Sequence, residues 1–111
     1  MTGVTPLFVY VTYASDEEAK TIGRALVEAR LAACVNILPG TTSLYWWQGR
    51  IEEGRETVLI AKTRDALLPA LTATVKSLHS YTCPCVVAWP VQAGNADYVR
   101  WIEAETEGAR T

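Results

Sequence analysis

Histidine, phenylalanine and methionine each occur once in this chain of 111 residues, and cysteine three times. Three thiols, Cys34, Cys83 and Cys85, cannot all pair within one chain. A disulfide-stapled secreted scaffold is therefore excluded, and reduced thiols in a cytoplasm are the simplest expectation. A solitary histidine is by itself a poor specifier of a metal site or of catalysis. Positive charge is scarce too: ten Lys and Arg against twelve Asp and Glu leave a net charge of -2. A pI near 5.3 supplies no basic field for a phosphate backbone, so no nucleic-acid partner is expected. No apolar run reaches the ~18 residues of a spanning helix, and no membrane partner is expected. Met1 to Ser15, interrupted by Thr2, Thr5, Pro6 and Thr12, does not read as a secretory leader. No G-x-x-x-x-G-K-[ST] loop is present, and no organic cofactor is indicated.

Apolar and aromatic residues are abundant. Half of the chain is hydrophobic, with four Trp and five Tyr, and 20% is charged. Residues 1–111 make one domain, because single domains centre on ~100–150 residues. A domain of that size still exposes roughly a third of the surface of its unfolded chain, so this much apolar surface asks for cover from a partner subunit.

Leu7 to Tyr13 is β-branched and aromatic over a strand's length. Ser15-Asp16-Glu17-Glu18 then forms the S-x-x-E capping box that starts a helix. Ala19, Ile22, Leu26, Ala29 and Ala33 recur at spacings of three and four, which predicts that helix over about Asp16 to Ala32. Cys34 to Leu38 reads as a second strand, Pro39-Gly40 as a kink or bulge, and Thr42 to Trp47 as its continuation until Gln48-Gly49 turns the chain. Arg50 to Lys62 is the return arm, apolar on both faces over Thr57 to Ala61 and charged over Ile51 to Glu56, which projects as a long hairpin. Asp65 is expected to cap a second helix that buries Leu67, Leu71, Val75 and Leu78, with Pro69 in its first turns. Cys85 to Trp89 reads as strand four, and Asn95 caps a short terminal helix carrying Tyr98 and Ile102. The order βαββαβ plus a C-terminal helix predicts an α+β, ferredoxin-like sandwich with helices on one face of an antiparallel sheet.

The residues with chemical potential each admit two readings. His79, at the end of helix two, has an imidazole fit for copper or zinc or for proton transfer; as a structural residue it interacts with exposed helix-end carbonyls. Cys83 and Cys85 point to the same side of an extended chain, so with His79 they make a candidate soft metal set; alternatively they are small core hydrophobes. Cys34 has no base near it in sequence and reads as core. Tyr45, Trp46 and Trp47 must face both sides of a two-stranded ribbon, which points to an intersubunit contact; a base-stacking platform conflicts with the acidic pI. Lys62, closing the Val58-Ile60-Lys62 face, can simply extend its stem over apolar surface. Glu52 to Glu56 reads as a solvated acidic run that hard cations visit weakly.

Several runs together resemble the CutA family of divalent-cation-tolerance proteins: Leu31 to Asn36 (LAACVN), Ser43 to Gly49 (SLYWWQG) with Ile51-Glu52-Glu53, Lys62-Thr63, Leu78 to Tyr81 followed by Pro84, and Gly94 to Ile102 (GNADYVRWI). The resemblance covers essentially the whole chain. It implies a homotrimer built through sheet edges and the Tyr45 to Trp47 hairpin, in which Lys62, His79, Tyr81 and Trp47 line a cleft between subunits. It also implies a link to copper or other divalent-ion tolerance, without an agreed reaction. Many relatives read His-Pro-Tyr-x-x-Pro-Glu where this chain has His79-Ser80-Tyr81-Thr82-Cys83-Pro84-Cys85, so a thiol replaces the carboxylate. The leading expectation is a trimer that binds copper, zinc or a small ligand at its clefts. A PII-like signalling trimer sensing a metabolite or nucleotide is the alternative. An acylphosphatase-like hydrolase ranks last, because Val11 to Asp16 lacks the Arg and glycines of a phosphate cradle.

Overall fold

The computed structural model describes residues 4–109. Four strands, β1 (Pro6–Tyr13), β2 (Cys34–Trp47), β3 (Arg50–Arg64) and β4 (Val86–Pro90), form one antiparallel sheet in the order β2-β3-β1-β4. The helices are α1 (Asp16–Glu28), α2 (Leu68–Leu78), which a 3-10 turn at Asp65–Leu67 precedes, and α3 (Ala96–Glu105). This is the expected ferredoxin-like order.

Alternation along β1 divides the sheet into two faces. Leu7, Val9, Val11 and Tyr13 are buried with Leu59 and Ala61 of β3. Onto them pack Ala19, Ile22 and Leu26 of α1 and Leu71 and Val75 of α2, forming one core. The other face is made of cross-strand rungs, Cys34–Lys62–Phe8–Trp89 and Asn36–Ile60–Tyr10–Val87. There α3 lies, not beside α1 and α2: the Tyr98 hydroxyl is 3.6 Å from the Cys34 sulfur, and Ile102 is buried. Arg64 ties the end of α3 down by donating to Thr106 Oγ1 at 3.0 Å.

Several boundaries differ from expectation. Helix α1 stops at Glu28 because Arg30, at φ 59°, takes the left-handed position that closes a helix. The Arg30 and Leu31 amides donate back to the Val27 and Leu26 carbonyls, the pattern of a Schellman end usually announced by glycine. Asp65 does not cap α2; its carboxylate accepts from the Ala66 and Thr5 amides, and α2 begins after the 3-10 turn with Pro69 near its start. Leu78, the last residue of α2, is exposed, while Leu67, Leu71 and Val75 are buried as expected. Cys85 falls just before β4.

The β2–β3 hairpin sets the shape of the molecule, 49 Å along its longest axis. A register shift between Leu38 and Thr41, with Gly40 at φ 78°, is the expected bulge. Gln48 and Gly49 both have positive φ, 51° and 79°, the two-residue turn whose twist matches a right-twisted ribbon.

Candidate functional site

The projecting arm of the long hairpin and the loop from α2 to β4 enclose a cleft of about 670 Å³. Its walls are Tyr45 and Trp47 of β2, Glu52 and Glu56 of β3, and Tyr81, Cys83 and Cys85 of the loop. Period-two alternation explains the hairpin's contribution. Tyr45 pairs with Glu52, and Ser43 with Gly54, so Ser43, Tyr45 and Trp47 turn one way while Leu44 and Trp46 turn the other. Gly54 leaves room for the Tyr45 ring, whose hydroxyl would stand 3.4 Å from any Cβ there.

Behind the cleft runs a ladder of three rings. Tyr13 stacks on His79 with centroids 4.5 Å apart, and His79 meets Tyr81 at 4.7 Å. The His79 side chain is fully buried. Its Nδ1 accepts from the Tyr81 amide at 3.0 Å, so its Nε2 carries the proton donated to the Thr12 carbonyl at 2.7 Å. Both nitrogens are therefore in use, and no lone pair is left for a metal. Glu18 completes the cluster: Ser15 caps its amide at 3.1 Å, and its carboxylate crosses to accept from the Ser80 amide and hydroxyl at 2.7 and 2.9 Å. The S-x-x-E box thus spends its glutamate on locking the His79 loop to α1.

Glu56 is the polar centre of the cleft. One carboxylate oxygen accepts from Ser43 at 2.6 Å and the other from Tyr81 at 2.8 Å. Burial, and then the hydrogen bond to Glu56, push the Tyr81 phenol well above its ordinary range. Burial and the Glu56 charge also push the Cys85 thiol upward.

The expected residues are thus distributed unevenly. Tyr81, Trp47, Cys83 and Cys85 share the cleft, with His79 behind Tyr81 rather than in the open space. The set His79, Cys83 and Cys85 is not assembled within one chain, and among the described residues no group of three His, Cys, Asp or Glu side chains is placed to hold a metal. The two cysteines are exposed rather than core. Lys62 stands elsewhere, on the sheet face under α3, donating to Asn36 Oδ1 and lying 5.4 Å from the Phe8 ring. Cys34 joins that second cluster and not the cleft. Glu56, expected in a solvated acidic run, is instead half-buried and held by Ser43 and Tyr81, and Ser43 carried no signal of its own, although Glu52-x-Gly54-x-Glu56 opposite Ser43-x-Tyr45-x-Trp47 has the alternation that places them together.

Comparison with known proteins gives one consistent result. The family described as CutA1 divalent ion tolerance protein matches residues 7–105. The divalent-cation tolerance protein CutA of Thermus thermophilus is 50% identical over 98 residues, which are 88% of this chain and 95% of that one. The chloroplastic protein CutA 1 of Oryza sativa is 44% identical over 105 residues, 95% of this chain but 59% of that longer relative. The crystal structure of CutA1 from Oryza sativa superposes with a TM-score of 0.93 at 42% identity, covering 98% of this chain and all of the other.

Proposed function

Because the chain belongs to the CutA1 divalent ion tolerance family, we propose that it serves divalent-cation tolerance as a homotrimer, taking copper, zinc or a small ligand at clefts completed between subunits. The observation that carries this reading is the outer face of the hairpin. Leu44, Trp46 and Ile51 are 69%, 73% and 64% exposed, side by side on a ribbon too thin to cover them itself. Apolar surface of that kind is buried by association. Lys62, distant from the cleft within one chain, contributes to such a site only across a subunit boundary. His79 supports the Tyr81 wall and does not bind a cation directly. The free thiols support a reducing compartment such as the cytoplasm. No helix among the described residues is long and apolar enough to cross a membrane.

Light scattering on the purified chain tests the assembly, with Trp46→Ser/Ile51→Ser as the variant. A trimeric mass for the parent and a monomeric one for the variant are expected; a monomeric parent removes the reading. Copper and zinc titrations test the ligand, and uptake of neither ion counts against a cation cleft.

A further inference from the structure

The donors that face the cleft differ in what they have left to give. Glu56 accepts one hydrogen bond at each carboxylate oxygen. Glu52 lies 3.9 Å from the Arg50 guanidinium. The buried His79 has both nitrogens engaged. Cys83 and Cys85 line the same cleft, exposed and without a disulfide. The carboxylate oxygens keep lone pairs as well, but they are hard donors, and the two sulfurs are the soft donors of the cleft.

Charge and wall chemistry select the ligand. Among the described residues no Lys or Arg side chain lines the cleft, so Glu52 and Glu56 give it a negative field. Hard divalent ions require six or so oxygen ligands and shed water reluctantly, whereas thiolates prefer soft ions. The Tyr45, Trp47 and Tyr81 rings present faces that attract a weakly hydrated cation. In the loop that leads into β4, Cys83 and Cys85 flank Pro84, a residue whose ring fixes its own φ and so limits the freedom of the backbone between them.

We propose that Cys83 and Cys85 form a two-thiolate site for a soft monovalent cation, copper(I) or its surrogate silver(I), on the wall of this cleft and without His79. The proposal rests on the cleft reading above and names the ion class and its ligands. On binding, each thiol loses its proton, two sulfur–metal bonds form, two protons go to solvent and no electron moves. Because each thiol gives up its proton as the metal binds, binding strengthens as pH rises.

The test is an anaerobic titration of the full chain with copper(I) against a chromophoric chelator, repeated with silver(I) and zinc(II). The parent and Cys34→Ser are expected to take up one copper(I) per chain with release of two protons, more tightly at higher pH and ahead of zinc(II). Cys83→Ser/Cys85→Ser, both at exposed positions and expected to fold, should take up none. Undiminished uptake by that double variant overturns the proposal, as does uptake abolished by Cys34→Ser or a preference for zinc(II). Light scattering on the same samples separates the two readings. A monomer that still binds copper(I) through the two cysteines sinks only the assembly, and a trimer whose uptake ignores them sinks only this site.

Discussion

His79 shows how one residue's partners decide its chemistry. A neutral imidazole with Nε2–H on Thr12 and Nδ1 on Tyr81 is a structural clamp between two tyrosine rings. Truncating it removes the packing of a buried ring and leaves two backbone groups without partners. His79→Ala should therefore cost about 3 kcal/mol, read as a lower urea midpoint. Tyr13 and Tyr81 carry a second prediction. Burial raises both phenols, aided at Tyr13 by the Glu18 charge and at Tyr81 by Glu56. The folded protein thus keeps protons that the unfolded chain releases above pH ~10. Their contribution to stability is complete below that pH and falls as pH rises through it. A spectrophotometric titration should show these phenols ionising only as the protein unfolds, and Glu56→Gln should bring Tyr81 part of the way back. Ionisation of every tyrosine near pH ~10 in the folded protein would contradict the buried ladder.

At the scale of elements, close approach and turn geometry outweigh propensity. Glycine inside a helix normally costs about 1 kcal/mol relative to alanine. In α1, however, a Cβ on Gly23 would stand 3.0 Å from Leu59 Cδ1 and 3.1 Å from Val35 Cγ2. Leu59 is fully buried and has no room to retreat. Gly23→Ala should therefore lower the melting temperature, despite the better helix former. Gly49, at φ 79° in the hairpin turn, meets no neighbour at its missing Cβ, so Gly49→Ala isolates backbone strain of about 1 kcal/mol. Its measurable consequence is a weaker hairpin, seen as faster amide exchange over Trp46 to Ile51 with the core unchanged. The end of α1 was hidden in the sequence for the same local reason: Arg30 occupies the left-handed position where glycine would have flagged a stop.

For the whole molecule, the apolar surplus becomes a statement about assembly. The core is closed by β1, β3, α1 and α2, yet Trp46, Leu44, Ile51 and Trp89 remain exposed. If those side chains are buried by self-association, the unfolding midpoint must rise with protein concentration. Calorimetry over a wide concentration range checks this, and a midpoint independent of concentration would argue for a monomer. Element order, the Pro39-Gly40 bulge, the Gln48-Gly49 turn and the Leu7 to Tyr13 strand were all legible in the sequence. Each is set by neighbours a few residues apart, through period, capping and turn chemistry. The family was legible as well, because runs such as SLYWWQG and GNADYVRWI keep their order along the chain. Contacts across long separations were decided only by the tertiary structure. Register brought Glu56 to Ser43 and packing brought it to Tyr81, 25 positions away. The placement of α3 on the open sheet face likewise set Cys34 beside Tyr98, 64 positions apart. Composition had put the lone histidine beside two thiols. The fold separated their roles, because a buried ring satisfies its nitrogens on the nearest backbone while exposed sulfurs keep theirs free.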